Sequence, residues 1–193
     1  SSALSVGFKM IDCQISDIKI LQSEIKVVKM SYEEADKALK KDKVLSKLNV
    51  LTKSHKTFRN ENGAIKLDLP NVDVKLKNKK VNIQIQSESK SRKLVAEMMV
   101  IAGRVIAQYA TENNISMPFL TQDVGNFSAD IIQNKENLTA TQAFQATRCF
   151  KQSKITLKAS LHAGLGLSCY VRVTSPIRRY LDLLVQQQLV RFI

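Results

Sequence analysis

The chain has 193 residues, with 30 Lys+Arg against 17 Asp+Glu, a formal net charge of +13 and 44% hydrophobic residues. That length supports one ordinary domain or two small ones, and the apolar share excludes a disordered tail in spite of the charge. No apolar stretch is read as approaching the roughly 18 residues of a membrane span, and SSALSVGFKM lacks the basic start and long apolar run of a signal peptide.

Residues 2–30 read as strands. LSVGFKMI, DIKIL and EIKVVKM alternate or carry β-branched runs, and Asp12-Cys13-Gln14 supplies a turn. Ser31-Tyr32-Glu33-Glu34 fits a capping box that opens a helix. A lysine-rich helix follows, with Val44, Leu45, Leu48 and Leu51 as a second apolar stripe. Asn60-Glu61-Asn62-Gly63 is turn chemistry. After it AIKLDLP and VNIQIQ, separated by the charged KLKNKK, predict a ribbon with one wet face. The longest helix is predicted from about Ser89 to Asn114, its broad face formed by Leu94, Val95, Met98, Met99, Ala102, Val105, Ile106 and Tyr109. Residues 121–140 are polar and irregular, in the manner of a surface excursion. A short helix around Thr141–Phe150 leads to the strands ITLKAS and LSCYVRV. The closing helix is predicted to begin at Ser175-Pro176, serine as N-cap and proline in the first helical position, with Leu181, Leu184, Val185 and Leu189 facing inward. The expected fold is α+β, a mixed or antiparallel sheet packed with helices.

The charge is unevenly placed. Between Arg148 and Ile193 stand eight bases and one acid, Asp182. A field of that sign attracts polyanions, and nucleic acid is the partner it favours, though a merely soluble basic protein shares the excess. Two arginines, Arg178 and Arg179, in the first turn of the closing helix oppose its dipole unless an anion compensates. That is a site-like arrangement; solvated arginines at a surface helix start are the other reading, and the residues leave both open. His162-Ala163-Gly164-Leu165-Gly166-Leu167 sets a histidine beside two glycines, which permits close backbone approach, while His162 itself reads as a packed or turn histidine. His55, on the lysine-rich helix, reads as exposed. The acid pairs Asp12/Asp17 and Asp68/Asp73 flank turns and read as solvated. No DxDD cluster, phosphate-binding glycine loop or nucleophile elbow stands in the sequence. Cys13, Cys149 and Cys169 are odd in number and far apart, with no CxxC, which speaks against a disulfide scaffold or zinc knuckle and for a reducing compartment.

Taken together these segments resemble the RNB nuclease domain of the ribonuclease II/R exoribonucleases, in the family's order and over nearly the whole chain. LSVGFKMIDCQISDIKIL resembles its strand pair, MSYEEADKAL its "TYxEAD" helix start, NENGAIKLDLP its "GAxxxDLP" turn and SRKLVAEMMVIAGRVIAQYATENNISMPF its central helix. HAGLGLSCYVRVTSPIRRYLDLLVQQQL resembles "HxGLGLxxYxxxTSPIRRYxDLxVHxQL". The form of the central helix is similar to the short cyanobacterial and chloroplast branch.

The resemblance implies processive 3′→5′ hydrolysis of single-stranded RNA to nucleoside 5′-monophosphates, with Mg²⁺ held by an aspartate-rich motif upstream of the first strand pair. The chain, residues 1–193, is then expected to be the C-terminal portion of an RNB domain, with that motif and the flanking OB-fold domains outside it and no metal ligand within it. Arg178 matches the family's catalytic arginine. Ser175, Arg179 and His162 match neighbouring phosphate contacts, and Tyr170 and Thr174 of the same segment join the expected RNA-binding residues. Tyr32 matches a tyrosine that holds the terminal nucleotide, and Glu97 a helix carboxylate that bonds a ribose hydroxyl or is simply a helix-face glutamate. Gln186 stands where the family's "VHxQL" has histidine. The second function considered is a non-catalytic RNA-binding module; a purely structural basic protein leaves the segment around Arg178 unexplained. The expected location is the cytoplasm, or the chloroplast of a plastid-bearing host. Strands left unpaired make self-association, or pairing with the rest of the domain, a further expectation.

Overall fold

A two-residue turn sets the first hairpin. Asp12 and Cys13 both take positive φ (47° and 60°), the backbone whose twist suits a tight antiparallel connection. The computed structural model describes residues 2–64, 72–77, 80–85, 89–127 and 139–193. In it β1 (Ser2–Ile11) pairs with β2 (Gln14–Glu24), with a register shift between Gly7 and Lys9. EIKVVKM does not continue as a third strand. Val27 and Val28 are adjacent rather than alternating, both are exposed, and no strand lies beside them among the described residues.

The two helices that follow begin on local caps. In α1 (Tyr32–Ala38) the Glu34 N–H donates to Ser31 Oγ at 3.2 Å, while the Ser31 N–H donates to the Glu34 carboxylate at 2.7 Å. The Asp42 carboxylate accepts from Val44 and Leu45 at the start of α2 (Lys43–Glu61). The expected apolar stripe of α2 is incomplete. Val44 is exposed, and the fully buried positions are Thr52 and His55.

β3 (Val72–Lys77) and β4 (Lys80–Ile85) form a hairpin in which Lys77 faces Lys80. Lys75–Lys77 and Lys80 of KLKNKK are therefore strand residues rather than a spacer. AIKLDLP beyond Ala64, with Asp68, lies outside the described residues. α3 (Lys90–Glu112), N-capped by Ser89, runs close to its expected span and packs against α1, α2 and β2. By length and composition it is apolar enough to cross a membrane, contrary to expectation, but its buried residues make it the core helix. Its inner face is rotated from the predicted one. Ile101, Ala107, Ala110 and Glu97 are buried, while Val95 and Met99 are exposed.

β5 (Phe119–Thr121) pairs with β6 (Lys154–Thr156), and α4 (Ala140–Cys149) starts on a Thr139/Gln142 capping box. LSCYVRV makes single bridges, Leu167 to His162 and Val171 to Phe119, instead of a strand. α5 (Tyr180–Phe192) closes the chain. The main core joins Ile20, Ile106, Ala107, Ala110, Met117, Phe119, Val171, Val173, Val185 and Leu189, so α3, β5, the 171–173 segment and α5 share one interior. The architecture is α+β as expected, with its sheets two-stranded among the described residues.

Candidate nucleic-acid interface

The serine-proline signal does not open the last helix. Pro176–Arg178 form a turn in which the Arg178 and Arg179 N–H groups both donate to the Ser175 carbonyl, at 3.3 and 3.1 Å, and the helix begins only at Tyr180. The reason is Asp182. This carboxylate is fully buried in the first turn of α5, where its Oδ2 accepts the Ser175 N–H at 2.9 Å and an Arg179 guanidinium N–H at 2.7 Å. A carboxylate there also complements the helix dipole. The Ser175 backbone is thus drawn toward the helix end from outside, as a strap over it.

The same contact divides the two arginines. Arg179 is held. The Arg178 side chain is exposed and makes no hydrogen bond or ion pair among the described residues, and its neighbours Ile177 and Tyr180 are exposed as well, Ile177 completely. Thr174 is exposed and Ser175 half-buried. Gln186 donates to the Val173 carbonyl at 2.8 Å, so this glutamine ties α5 to the extended segment that leads into the turn.

Tyr170 and His162 are packed edge to face, with ring centroids 5.7 Å apart. Tyr170 lies so close to α3 that a Cβ on Gly103 would stand 2.3 Å from its ring and 2.4 Å from the Val171 carbonyl. Burial raises the Tyr170 phenol, against the pull of Arg172, Arg179 and Arg59 and with a further push from Asp182. One half-buried phenol therefore feels both the arginine turn and the glycine loop. Burial also lowers His162, so its imidazole is kept neutral; its Nδ1 has no hydrogen-bond partner among the described residues. The glycine loop turns at Gly166 (φ +62°), where a Cβ would meet the Arg59 carbonyl at 2.3 Å.

Two expectations are corrected in the next layer. Glu97 is not an open ribose contact: its carboxylate is buried, takes Arg59 Nε and Nη2 at 2.8 and 2.7 Å, and lies 2.6 Å from His55 Nδ1. Burial would raise its pKa, but the Arg59 and His55 hydrogen bonds and charges win and hold it at about 2. His55, expected at the surface, is completely buried. Arg59 reaches on to the Leu165 carbonyl at 3.0 Å, so the trio braces α2, α3 and the glycine loop against one another. A glutamate on the inner face of an apolar helix needs a cation, and His55 and Arg59 stand four apart on the facing helix. That pairing of signals is present in the sequence, but only the packing of α2 on α3 connects it.

Tyr32 lies at the N-terminal end of α3, its carbonyl accepting from Ser91 Oγ and its ring, 39% exposed as a residue, covered on one face by the Arg92 guanidinium at 4.4 Å. No hydrogen bond or ring contact links Tyr32 to the arginine turn among the described residues. The structure thus brings together His162, Tyr170, Ser175 and Arg179, adds Asp182, Arg59 and Arg172, and leaves Tyr32 apart.

Among the described residues no three His, Cys, Asp or Glu side chains are grouped to hold a metal ion. Of the two buried carboxylates, Glu97 has both oxygens bonded, whereas Asp182 bonds Ser175 and Arg179 through Oδ2 and its buried Oδ1 has no hydrogen-bond partner among the described residues. The Mg²⁺ ligands that the resemblance implies belong to an aspartate-rich motif upstream of the first strand pair, so these residues are no test of that site.

The RNB domain model matches residues 2–193. The chain belongs to the RNB domain family. This RNB chain is 31% identical to an uncharacterised ribonuclease of Synechocystis sp., over 99% of its own length and 30% of the relative's. It is 28% identical to ribonuclease R of Chlamydia pneumoniae, over 91% of itself and 32% of that protein. It therefore spans about a third of the length of these curated relatives. The fold is similar to apo RNase R of Mycoplasma genitalium, with a TM-score of 0.81 at 18% identity, over 97% of this chain and 36% of that one. A complex of the same enzyme with ribose-methylated single-stranded RNA matches at 0.77 and 18%, over 98% and 37%. Yeast Ssd1, a pseudonuclease, matches at 0.67 and 15%, over 98% of this chain and 28% of that one. Likeness at 15–18% identity shows the fold alone, and a fold does not fix an activity.

Proposed function

We propose that this chain is the C-terminal part of the nuclease domain of a 3′→5′ exoribonuclease that hydrolyses single-stranded RNA to nucleoside 5′-monophosphates. The observation that carries the reading is the unequal pair of arginines. Arg179 is fixed by Asp182, while Arg178, next to it on the same short turn, has no side-chain partner among the described residues. A planar guanidinium in that state can bind two oxygens of a phosphodiester and offset the charge that builds at the scissile group. Family membership and the binding of single-stranded RNA by the Mycoplasma relative support the substrate class. Arg179, with Ser175, Thr174 and Tyr170, serves as the wall against which the strand is placed, and the exposed ring of Tyr32 offers a stacking face for a base. When bound, Mg²⁺ would supply an activated water and charge stabilisation, held by an aspartate-rich segment upstream of the first strand pair.

The test uses the complete protein with Mg²⁺ and 3′-labelled poly(A). Arg178→Ala should slow mononucleotide release by about 10²-fold or more while leaving the fold intact by circular dichroism. Near-normal release from that variant refutes the assignment. The second reading, a non-catalytic RNA-binding module, rests on the net charge of +13, which attracts a polyanion without requiring chemistry. It predicts binding that falls steeply with salt and no mononucleotide from the wild-type protein.

A further inference from the structure

The segment that leads into the arginine turn carries one more arginine. Val171 bridges to Phe119, and Val171 and Val173 are both buried in the main core. Alternation then places Arg172 on the opposite side, the one it shares with Tyr170 and Thr174. Its charge is felt there. Against the burial that raises the Tyr170 phenol Arg172 is the strongest pull, and it adds to the burial that lowers His162. Arg59, Arg104 and Arg179 are half-buried, and each donates to a protein oxygen: Arg59 to Glu97 and the Leu165 carbonyl, Arg104 to the Cys13 carbonyl, Arg179 to Asp182. Arg172 is half-buried as well, yet it makes no hydrogen bond or ion pair among the described residues. A guanidinium presents five donors in a fixed fork and cannot lose its charge, so partial withdrawal from water leaves it short of an acceptor. The carboxylates of this layer, Glu97 and Asp182, are each engaged by another arginine. Arg172 and Arg178 thus stand on the same stretch of chain without a counter-charge among the described residues.

We infer that Arg172 binds a second phosphate of the RNA strand whose scissile phosphate Arg178 holds. The chemistry recognised is a backbone phosphodiester, which offers its charged oxygens to a planar fork and carries no base identity. The inference rests on the exonuclease reading, which also sets the direction. When the last linkage is the one hydrolysed, only a nucleoside with a free 3′ hydroxyl lies beyond the scissile phosphate, so the phosphate at Arg172 lies on its 5′ side. Two anchored phosphates fix the register of the strand on the turn. Arg178 meets the linkage that reacts, and Arg172 one that does not. The Arg172 contact is therefore the same before and during the reaction, and it contributes to binding rather than to the chemical step.

Binding of labelled oligoadenylate to the complete protein is followed by anisotropy without divalent ions over a range of KCl. Arg172→Gln should bind several-fold more weakly, with a slope of log K against log salt shallower by about 0.7, the share of one phosphate on a single strand. Arg172→Lys keeps the charge and should keep the wild-type slope. With Mg²⁺ present, Arg172→Gln should raise KM several-fold and leave kcat at the wild-type value, whereas Arg178→Ala acts on kcat. A scan then locates the contact: one neutral methylphosphonate linkage is placed at successive positions from the 3′ end. In the wild type it should weaken binding at a linkage on the 5′ side of the last one, and in Arg172→Gln that penalty should vanish at that linkage alone. Arg178→Ala should silence a different linkage, the last. Unchanged affinity and slope in Arg172→Gln overturn the inference, as do penalties that persist at every position, or one linkage silenced by both variants. Failure of the exonuclease reading shows separately, as a wild-type protein that releases no mononucleotide yet keeps its Arg172-dependent linkage in the scan.

Discussion

Arg178 and Arg179 have the same chemistry and are peptide neighbours, yet one is held and the other is not, because one oxygen of Asp182 takes both the Ser175 N–H and the Arg179 guanidinium. Asp182 touches no expected substrate atom, so its role is to position the turn. Asp182→Asn keeps an acceptor for the Ser175 N–H but removes the charge that fixes Arg179. A hydrogen bond to a charged group contributes about 1.5–3 kcal/mol, and urea unfolding should show a loss of roughly 2 kcal/mol. RNA turnover in the complete protein should fall as well, by less than in Arg178→Ala and mainly in kcat, because the freed Arg179 no longer keeps the strap and its neighbour in one place. A variant that loses stability but turns over RNA at the wild-type rate reduces Asp182 to scaffold.

Between elements, a close approach of backbone to helix is made at Gly103. The hydrogen at that Cα lets the 170–171 backbone lie on α3, with the Val171 N–H donating to the Gly103 carbonyl. In an isolated helix Gly103→Ala would stabilise by about 1 kcal/mol. Here the new methyl meets a carbonyl oxygen at 2.4 Å, which cannot swing aside as a side-chain tip could. Overpacking of this kind costs about 1–3 kcal/mol, so thermal unfolding should show a lower Tm, and the Tyr170–His162 stack should loosen. An unchanged or raised Tm would mean that segment 170–173 is not seated on α3. The same scale explains what the sequence made legible. The Ser31–Glu34 box and the Ser89 cap need only hydrogen bonds within three residues, so α1 and α3 begin where local chemistry says. The start of α5 was not legible from Ser175-Pro176, because the deciding group, Asp182, is seven residues away and acts only once the chain has turned. The third strand failed for a related reason: alternation marks an extended segment but says nothing of a partner. The TSPIRRY segment carried the site by resemblance, whereas the His55–Glu97–Arg59 brace depends on two helices lying side by side and could not be read from either alone.

Across the molecule as a whole, a net charge of +13 favours anion binding but disfavours compaction through self-repulsion, so stability should fall in acid as the carboxylates are neutralised. Two groups set the windows. His162 is lowered by burial from its ordinary 6.5; the unfolded chain takes up the proton first, so its neutral burial is fully tolerated above that value and opposes folding as the pH falls below it. Glu97 is held at about 2 against an ordinary 4.5. Its contribution is therefore complete above 4.5 and is lost as the pH drops toward 2. Glu97→Gln removes the charge but leaves a side chain of similar size, and Arg59 and His55 lose their anion. At neutral pH the variant should be less stable by about 3 kcal/mol or more, as expected when one partner of a buried pair is removed. Denaturant unfolding repeated between neutrality and strong acid gives the decisive comparison. The wild-type and variant curves should run parallel above pH 4.5 and converge below it, because only the wild type still has that carboxylate to protonate. Curves that stay parallel through the acid range would show that the brace between α2, α3 and the glycine loop is not held by the Glu97 charge.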